Sequence, residues 1–534
     1  MKIGGHAVQK AGLLAAILTL LLAAMAFAGT PKNALVVATS IDDMITLDPA
    51  ETFEFTGQEV IANLYDRIMM YEAEDTSKLV GGVAESWDVS SDGMTITFKV
   101  RDGLTFHSGN PVRAEDAVFS LRRVIKLNLT PAFIFQQFGW TPENIDALVK
   151  VTEPGHFSVT IKEQFAPSMV LNCFAAGIGS VVDKKEAMAH AKEGDLGHAW
   201  LKRNDAGSGP YALKAWKPNN AVVLQANAAH RFGEPAMKRV ILRHINEANS
   251  QRLLLEKGDV DMARGLNTDQ VDKLKANDGI VVDNFPQAAV HFIGLNQKSD
   301  KLSNPKVWEA LKWLVDYEGM AQSFLRGQYM IHQSFWPKGF PGALLDTPYA
   351  LNVEKAKKLL AEAGYPQGFS VNMDVINNPV FMNMAQSIQQ NFAKAGVKVN
   401  IIPGTGSQVI TKYRSRTHEL ILIYWGPDFN DIHSNAASFA YNKDNSDSAK
   451  VSSSAWRNAW DMPELSKLTA AASVEKDGTK REDLYLGIQK SVQKSAPYVI
   501  MFQASSQIAM KKGVKGFVAG PTTDTVFYRN VTKN

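Results

Sequence analysis

The chain has very little cysteine and almost no excess of charge. Cys173 is its only cysteine among 534 residues, so the chain cannot form an internal disulfide or a multi-cysteine zinc or iron–sulfur site. Its 57 basic and 54 acidic residues give a formal charge of +3, which argues against a nucleic-acid binder. With 45% hydrophobic and 21% charged residues, the composition is that of a folded globular protein. At about 150 residues per domain, the length suggests roughly two to four domains.

Motifs that would indicate catalysis are also absent. The sequence has no HExxH, no P-loop and no GxSxG, and the glycine fragments at 207–209 and 404–406 are predicted to be turns. Cys173 lies in an apolar stretch, so we expect a buried, unreactive thiol. Three histidines lack the spacing of metal ligands and are predicted to be core or solvated side chains: His332, His418 and His433. A secreted enzyme is therefore the weaker alternative to a binding protein, and we expect no cofactor.

Long apolar runs are missing beyond the N-terminus. Lys2 and Lys10 accompany an apolar run at 13–25, which ends in the small-x-small sequence Ala26-Phe27-Ala28. The run is shorter than the roughly 20 apolar residues of a membrane span. We expect a signal peptide over 1–28, cleaved near Ala28, and an exported, soluble mature chain; an uncleaved anchor is the alternative. No cysteine directly follows the run to carry a lipid anchor.

Hydrophobic patterning predicts alternating strands and helices. Strands are predicted at 33–40, 94–100, 157–162, 211–216, 221–226, 397–402 and 420–425. Helices are predicted at 57–71, 114–125, 353–363 and 381–395. This alternation is typical of the α/β class.

The segment Trp425-Gly426-Pro427-Asp428-Phe429-Asn430-Asp431 is the most suggestive part of an aromatic-rich C-terminal half. It follows a predicted buried strand, and ligands of open α/β sheets bind at the carboxyl ends of strands. An acid enclosed there needs a cation, which a ligand's ammonium group would supply. The alternative is a polar turn with an exposed aspartate and a core tryptophan. Residue chemistry alone leaves both interpretations open.

Four stretches, in order, resemble signatures of one protein family. They are LVGGVAESW at 79–87, DGLTFHSGNPVRAEDAVFSLR at 102–122, GSGPY at 207–211 and VEKAKKLLAEAGYPQGF at 353–369. The sequence is thereby similar, over nearly the whole mature chain, to periplasmic solute-binding proteins of the peptide/nickel/opine class (family 5), which serve ABC importers. The predicted signal peptide agrees with this resemblance.

The resemblance implies a two-lobed periplasmic-binding-protein fold (type II, cluster C-like) that closes over a ligand. An extra subdomain in the first lobe is expected at 58–186. The first lobe would then comprise 29–57, 187–285 and 501–534, and the second lobe 286–500. The implied partners are a small molecule or short peptide and the permease subunits of an inner-membrane ABC importer. We expect a periplasmic monomer that binds no nucleic acid.

The resemblance also implies a binding site. In peptide-binding relatives the aspartate of a W-x-x-D pattern pairs with the peptide's α-ammonium group, and Trp425 and Asp428 match that pattern. Backbone groups at Tyr424 and Gly426 would meet an extended ligand. Phe53 and Phe55, which follow the Leu47-Asp48-Pro49 turn, are candidate walls, with core packing as the alternative. Phe335 and Trp336, from the aromatic-rich C-terminal half, are further candidate ligand-binding residues.

One departure from the family pattern bears on the ligand. Dipeptide-binding relatives place an arginine before the helix that leads to the strand at 397–402, where it holds the ligand's carboxylate. Residues 377–382 here are Asn-Asn-Pro-Val-Phe-Met, with no basic side chain, and Arg414 and Arg416 do not match. An opine, an oligosaccharide or a metal chelate therefore remains an alternative to a peptide, and a sensory role remains an alternative to transport.

Overall fold

A computed structural model describes residues 29–449 and 453–534. The predicted signal peptide lies outside these residues. The strands are β1 Ala34–Thr39, β2 Met69–Tyr71, β3 Leu79–Gly81, β4 Ala84–Val89, β5 Thr95–Val100, β6 Val149–Glu153, β7 His156–Thr160, β8 Tyr211–Lys217, β9 Ala221–Ala226, β10 Arg239–His244, β11 Met262–Ala263, β12 Ile280–Leu295, β13 Tyr329–Ile331, β14 Ser370–Ile376, β15 Lys398–Gly404, β16 Leu420–Trp425, β17 Tyr498–Lys511, β18 Val514–Lys515, β19 Val518–Ala519, β20 Val526–Phe527 and β21 Thr532–Lys533.

The α-helices are α1 Phe55–Leu64, α2 Ala114–Leu127, α3 Phe133–Gln136, α4 Ile145–Leu148, α5 Pro167–Ala175, α6 Lys184–Ala189, α7 His198–Leu201, α8 Ala248–Lys257, α9 Thr268–Lys275, α10 Pro305–Lys312, α11 Tyr317–Gln322, α12 Val353–Glu362, α13 Pro379–Ala393, α14 Gly406–Arg414, α15 Ile432–Phe439, α16 Ser454–Arg457, α17 Pro463–Val474 and α18 Gly478–Ser495. Short 3-10 helices lie at Thr130–Ala132, Gly177–Gly179, Asp300–Leu302 and Thr523–Thr525.

One large sheet runs through both lobes. Its main path is β15-β14-β16-β12-β17-β11-β1-β10-β9-β8, and β13 pairs with β17 as its eleventh strand. Strands β15, β14 and β16 are parallel to one another, as are β11, β1 and β10. Apolar, almost wholly buried sequences such as ALVVAT in β1 suit such central positions, because helices cover both faces of parallel sheets.

The two lobes share β12 and β17, which are 16 and 14 residues long. The antiparallel pairing of these strands is interrupted between Pro286 and Val290, where the register shifts. The side chain of Gln503 fills this interruption: its Nε2 donates to the carbonyls of Gln287 and Lys338, and its Oε1 accepts from the Lys338 N–H, each at 2.8 Å. The pairing of β12 and β17 is therefore locally irregular where the chain crosses between the lobes. There the buried side-chain amide of Gln503 satisfies backbone groups of Gln287 and Lys338.

Separate hydrophobic cores define three bodies. The second lobe has a core drawn from residues between Val290 and Phe502. The first lobe has a core that combines N-terminal residues with the segment ending at Val531. A four-stranded antiparallel sheet, β4-β5-β7-β6, packs with α2 and α5 around a core of its own, which forms the subdomain.

A buried ion pair joins the subdomain to the first lobe. Asp48, in the turn after β1, accepts two hydrogen bonds from the Arg123 guanidinium on α2, and the His198 Nδ1 lies 2.7 Å from the same carboxylate. These bonds hold the pKa of Asp48 below its usual value in spite of its burial. The early turn thereby fixes the position of the subdomain.

Most predicted elements are present within a few residues, including β1, β5, β16, α2, α12 and α13. The helix predicted at 57–71 is wrong beyond Leu64: Tyr65 has an extended backbone, and Met69–Tyr71 forms a strand paired with Leu79–Gly81. The predicted lobe boundary at 285/286 lies beside the register shift of β12. The boundaries themselves stay predictions. Within the part of the chain that the structure describes, no helix has the length and apolar character needed to cross a membrane.

Candidate ligand-binding site

Three parallel strands of the second lobe end at one edge of the sheet. Beyond β14, Asn378 caps α13 by accepting a hydrogen bond from the Val380 N–H, and beyond β15, Thr405 caps α14. Beyond β16, the chain instead enters the loop 426–431 before α15 begins. The carboxyl edge of an open sheet is the usual position of a ligand site, and this loop carries the predicted aspartate there.

Asp428 is held by its backbone and leaves its carboxylate free. Its N–H donates to the Ser434 Oγ at 2.8 Å, which fixes the loop against the first turn of α15. Among the described residues, no side chain or backbone group bonds or pairs with its carboxylate oxygens, and neither oxygen is sealed from solvent. An acceptor group in this position is open to a ligand.

The surroundings of Asp428 disfavour its charge. Desolvation by the surrounding protein raises the pKa of this carboxyl to about 7, although the nearby Arg457 lowers the pKa in part. The neighbouring Asp431 is the contrasting case, because it caps α15 and accepts two hydrogen bonds from the Arg481 guanidinium. The loop thus holds one acid that is paired with a protein cation and one acid to which no protein cation is bonded.

The loop lies against the subdomain. Phe429 is 6% exposed and packs into the subdomain core, although it belongs to the second lobe. His433 of α15 contacts Phe165 of the subdomain with ring centroids 6.1 Å apart. Burial raises the pKa of the Cys173 thiol on α5, and the nearby charges of Asp431 and Asp428 raise this pKa further. Asp428 therefore lies where the second lobe meets the subdomain. A ligand enclosed between the lobes would bind in such a position.

Arg457 is a cation near Asp428 that the sequence analysis did not indicate. Arg457, at the end of α16, lies over the Tyr413 ring at 5.1 Å and over the Trp425 ring at 5.3 Å, measured from its Cζ to the ring centroids. No nitrogen of Arg457 comes within 4 Å of a carboxylate among the described residues. No motif identifies this residue, because it is 29 positions beyond Asp428 and reaches Trp425 only through the packing of α16.

The other predicted residues separate into two groups. Tyr424 is 39% exposed and stacks on His291, Trp425 and Gly426 are partly exposed, and Phe53 and Phe55 are 37% and 59% exposed on the first lobe. Phe53 contacts Phe133 edge to face. These residues remain candidates for the walls of a cleft.

Phe335 and Trp336 require a correction, because the structure places them in the core of the second lobe. Their exposures are 0% and 1%. Phe335 stacks on Phe439, and the Trp336 indole N–H donates to the Pro341 carbonyl. The aromatic side chains of this stretch serve packing.

The histidines lie apart and have local partners. His332 bonds the Trp336 carbonyl, His418 the Asn458 side chain and His433 the Tyr485 hydroxyl. Desolvation lowers the pKa of each to about 4, so all three are neutral near pH 7. Within residues 29–449 and 453–534, no three His, Cys, Asp or Glu side chains are grouped to hold a metal ion.

The fold and the free carboxylate at the lobe junction define a class, the two-lobed solute-binding proteins. Comparisons with known proteins agree: residues 78–447 match the family described as bacterial extracellular solute-binding proteins, family 5 middle. The chain belongs to this family.

Individual relatives match along most of the chain. The chain is 29% identical over 516 residues to the probable D,D-dipeptide-binding periplasmic protein DdpA of Escherichia coli K12, covering 95% of each chain. Two solved structures show the same fold: HbpA2 of Haemophilus parasuis, with a TM-score of 0.79, 24% identity and coverage of 94% and 100%, and the periplasmic binding protein DppA of Helicobacter pylori in complex with the peptide STSA, with a TM-score of 0.75, 23% identity and coverage of 94% and 98%.

Proposed function

We propose that the protein captures a short peptide or peptide-like solute by its ammonium group and delivers it to an ABC importer. The observation that carries the proposal is the carboxylate of Asp428, which faces the lobe junction without a cation of its own. An ammonium group bound there would stabilise the charged form of the carboxyl that the surrounding protein disfavours. A charge-assisted hydrogen bond in an enclosed site is among the stronger polar contacts.

The class of ligand draws on the relatives as well as the site. The name of the Escherichia coli relative specifies D,D-dipeptides, and the Helicobacter pylori structure contains a peptide. Exposed aromatic side chains on both lobes, such as Tyr424 and Phe53, would cover the apolar parts of such a ligand. We infer a binding role rather than catalysis, and a monomer that works in the periplasm after cleavage of the signal peptide near Ala28.

The experiment is calorimetric titration of the purified, ligand-stripped protein with L,L- and D,D-dipeptides, tripeptides, opines and oligosaccharides. A thermal-shift screen precedes it, since a ligand at about 100 times its Kd stabilises the folded state by roughly 2.7 kcal/mol. We expect Asp428→Asn to weaken binding of ammonium-bearing ligands by about 30-fold or more, because one partner of an enclosed charge pair is lost. Asp461→Asn, which removes an exposed acid, is the matched control.

Two outcomes would contradict the proposal. If Asp428→Asn binds the same ligand as tightly as the parent, the ammonium contact is absent. If only neutral oligosaccharides bind, capture of a solute survives, but recognition must rest on aromatic and amide side chains.

A further inference from the structure

Arg457 is a second charged group at the site without a partner. Its side chain has no hydrogen-bond acceptor and no ion pair among the described residues, and its Nε is buried without an acceptor. The Tyr413 and Trp425 rings are its contacts, at 5.1 and 5.3 Å. Partly buried guanidinium groups are normally paired, since desolvation of an unpaired charge is unfavourable. The side chain is thus held in place without any group that neutralises it.

Other arginines of the second lobe show what structural pairing looks like here. Arg416 also lies over a tryptophan, with its Cζ 4.5 Å from the Trp456 ring, yet it donates to Asp447 and Asn445. Arg481 lies over Tyr485 and makes a two-pronged pair with Asp431. Arg457 keeps the aromatic contacts of this arrangement but lacks the acceptors.

Arg457 and Asp428 are near each other without being bonded. The charge of each affects the pKa of the other, while no nitrogen–oxygen distance between them is within 4 Å. Both lie beside Trp425, one over its ring and one three residues along the chain. Two opposite charges that lie near each other without a mutual bond suit a molecule that carries the complementary charges.

We propose that Arg457 binds an anionic group of the ligand, a carboxylate, while Asp428 binds its ammonium group, so that the site selects small zwitterions. This inference rests on the proposed function of solute capture at Asp428. The terminal nitrogens of Arg457 match the two oxygens of a carboxylate. Trp425 would lie beneath the atoms of the ligand that join its two charged groups. The specificity follows from the ligand's two charges together, because a ligand lacking either one leaves an enclosed protein charge unpaired.

The test compares each bound dipeptide with its C-terminal amide by calorimetry, first with the parent protein. We expect the amide to bind about 30-fold or more weakly, the loss anticipated when one member of an enclosed charge pair is removed. The comparison is then repeated with Arg457→Met, which keeps an apolar stem over the rings. That variant should bind the free acid about as weakly as the parent binds the amide, and it should show little further loss with the amide.

Arg457→Lys separates charge from geometry. A lysine keeps the positive charge without the planar fork, so it should recover part of the affinity for the free acid. Unfolding curves of each ligand-free variant show whether the fold is retained. The parent's own preference for acid over amide needs no variant.

The outcomes distinguish this inference from the proposed function. Equal binding of acid and amide by the parent overturns the role of Arg457 and leaves the ammonium contact intact. Equal losses of acid and amide in Arg457→Met also overturn it, because they indicate a structural role. If no ammonium-bearing ligand binds the parent, both the proposed function and this inference fail.

Discussion

At the scale of single residues, Asp428 is set apart by a charge that the fold does not neutralise. Its carboxyl has a pKa of about 7, because burial in the loop outweighs the attraction of Arg457. In an unfolded chain the same carboxyl has a pKa near 4. Between about pH 4 and pH 7, the folded state therefore holds a proton that the unfolded state has lost. The contribution of Asp428 to stability is therefore greatest at low pH and is lost as the pH rises through 7.

Ligand binding reverses this preference, which gives a pH prediction. An ammonium group pairs with the ionised carboxylate, so binding at pH 6 should release a proton, and affinity should fall by up to about tenfold per pH unit below 7. Calorimetry at pH 6 in two buffers of different ionisation enthalpy measures the released proton, and titrations between pH 5.5 and 7.5 give the affinities.

In Asp428→Asn, the residual binding should be independent of pH over the same range. The same result for the parent, with no proton released, would contradict the coupling of ammonium binding to the ionisation of Asp428.

Sequence patterns indicated Asp428 as a candidate but gave no sign of Arg457, and the reason is physical. Trp425 ends a buried strand and Asp428 lies three residues beyond it, so the local pattern fixes their place at the sheet edge. Arg457 reaches the same tryptophan through the packing of a different helix. Phe335 and Trp336 show the opposite error, because an aromatic pair has the same composition in a core as in a cleft wall.

At the scale of elements, regular periodicity predicted seven strands and four helices, most of which are present, but not the strands that join the lobes. Helix α12 has polar and apolar faces, Asn352 at its N-cap and a left-handed Gly364 after it, all readable locally. Strands β12 and β17 pair across more than 200 residues, with a register shift that no local pattern encodes. Long-range pairing therefore limited the sequence prediction.

Gln503 supports a prediction about that crossing. Gln503→Ala would remove hydrogen bonds to the backbone of Gln287 and Lys338 at a wholly buried position. We expect a loss of about 1–3 kcal/mol in the free energy of unfolding, since buried groups would remain unsatisfied. Denaturant unfolding of the ligand-free protein measures it.

In Gln503→Ala, the backbone amides of the β12–β17 crossing should exchange their hydrogens faster than in the parent. Gln367→Ala, at an exposed position, is the control for loss of a glutamine side chain. Unchanged stability and unchanged exchange in Gln503→Ala would show that the crossing does not depend on this amide.

At the scale of the whole molecule, the second lobe and the subdomain are in contact on the side where Asp428 lies. The Ala166 N–H donates to the Ser473 carbonyl at 2.8 Å, and the Lys476 ammonium donates to the Asp92 carbonyl at 3.0 Å. Phe429 adds the apolar part of the contact by entering the subdomain core. These contacts belong to an arrangement in which the lobes are together, so a hinge motion that separates the lobes would break them.

Phe429 therefore provides a test of closure that leaves every charge in place. Burial of a phenylalanine side chain contributes about 1.5–3 kcal/mol, so Phe429→Ala should shift the population from closed toward open molecules. If binding requires the closed arrangement, the affinity should fall roughly 10-fold to 100-fold, because each 1.4 kcal/mol corresponds to a factor of ten. By small-angle scattering, ligand-free Phe429→Ala should have a larger radius of gyration than the ligand-free parent. At saturation with ligand, the two proteins should have the same value. Leu345→Ala, which removes an exposed apolar side chain, should alter neither quantity, and an unchanged affinity in Phe429→Ala would show that this contact does not stabilise the closed, ligand-bound molecule.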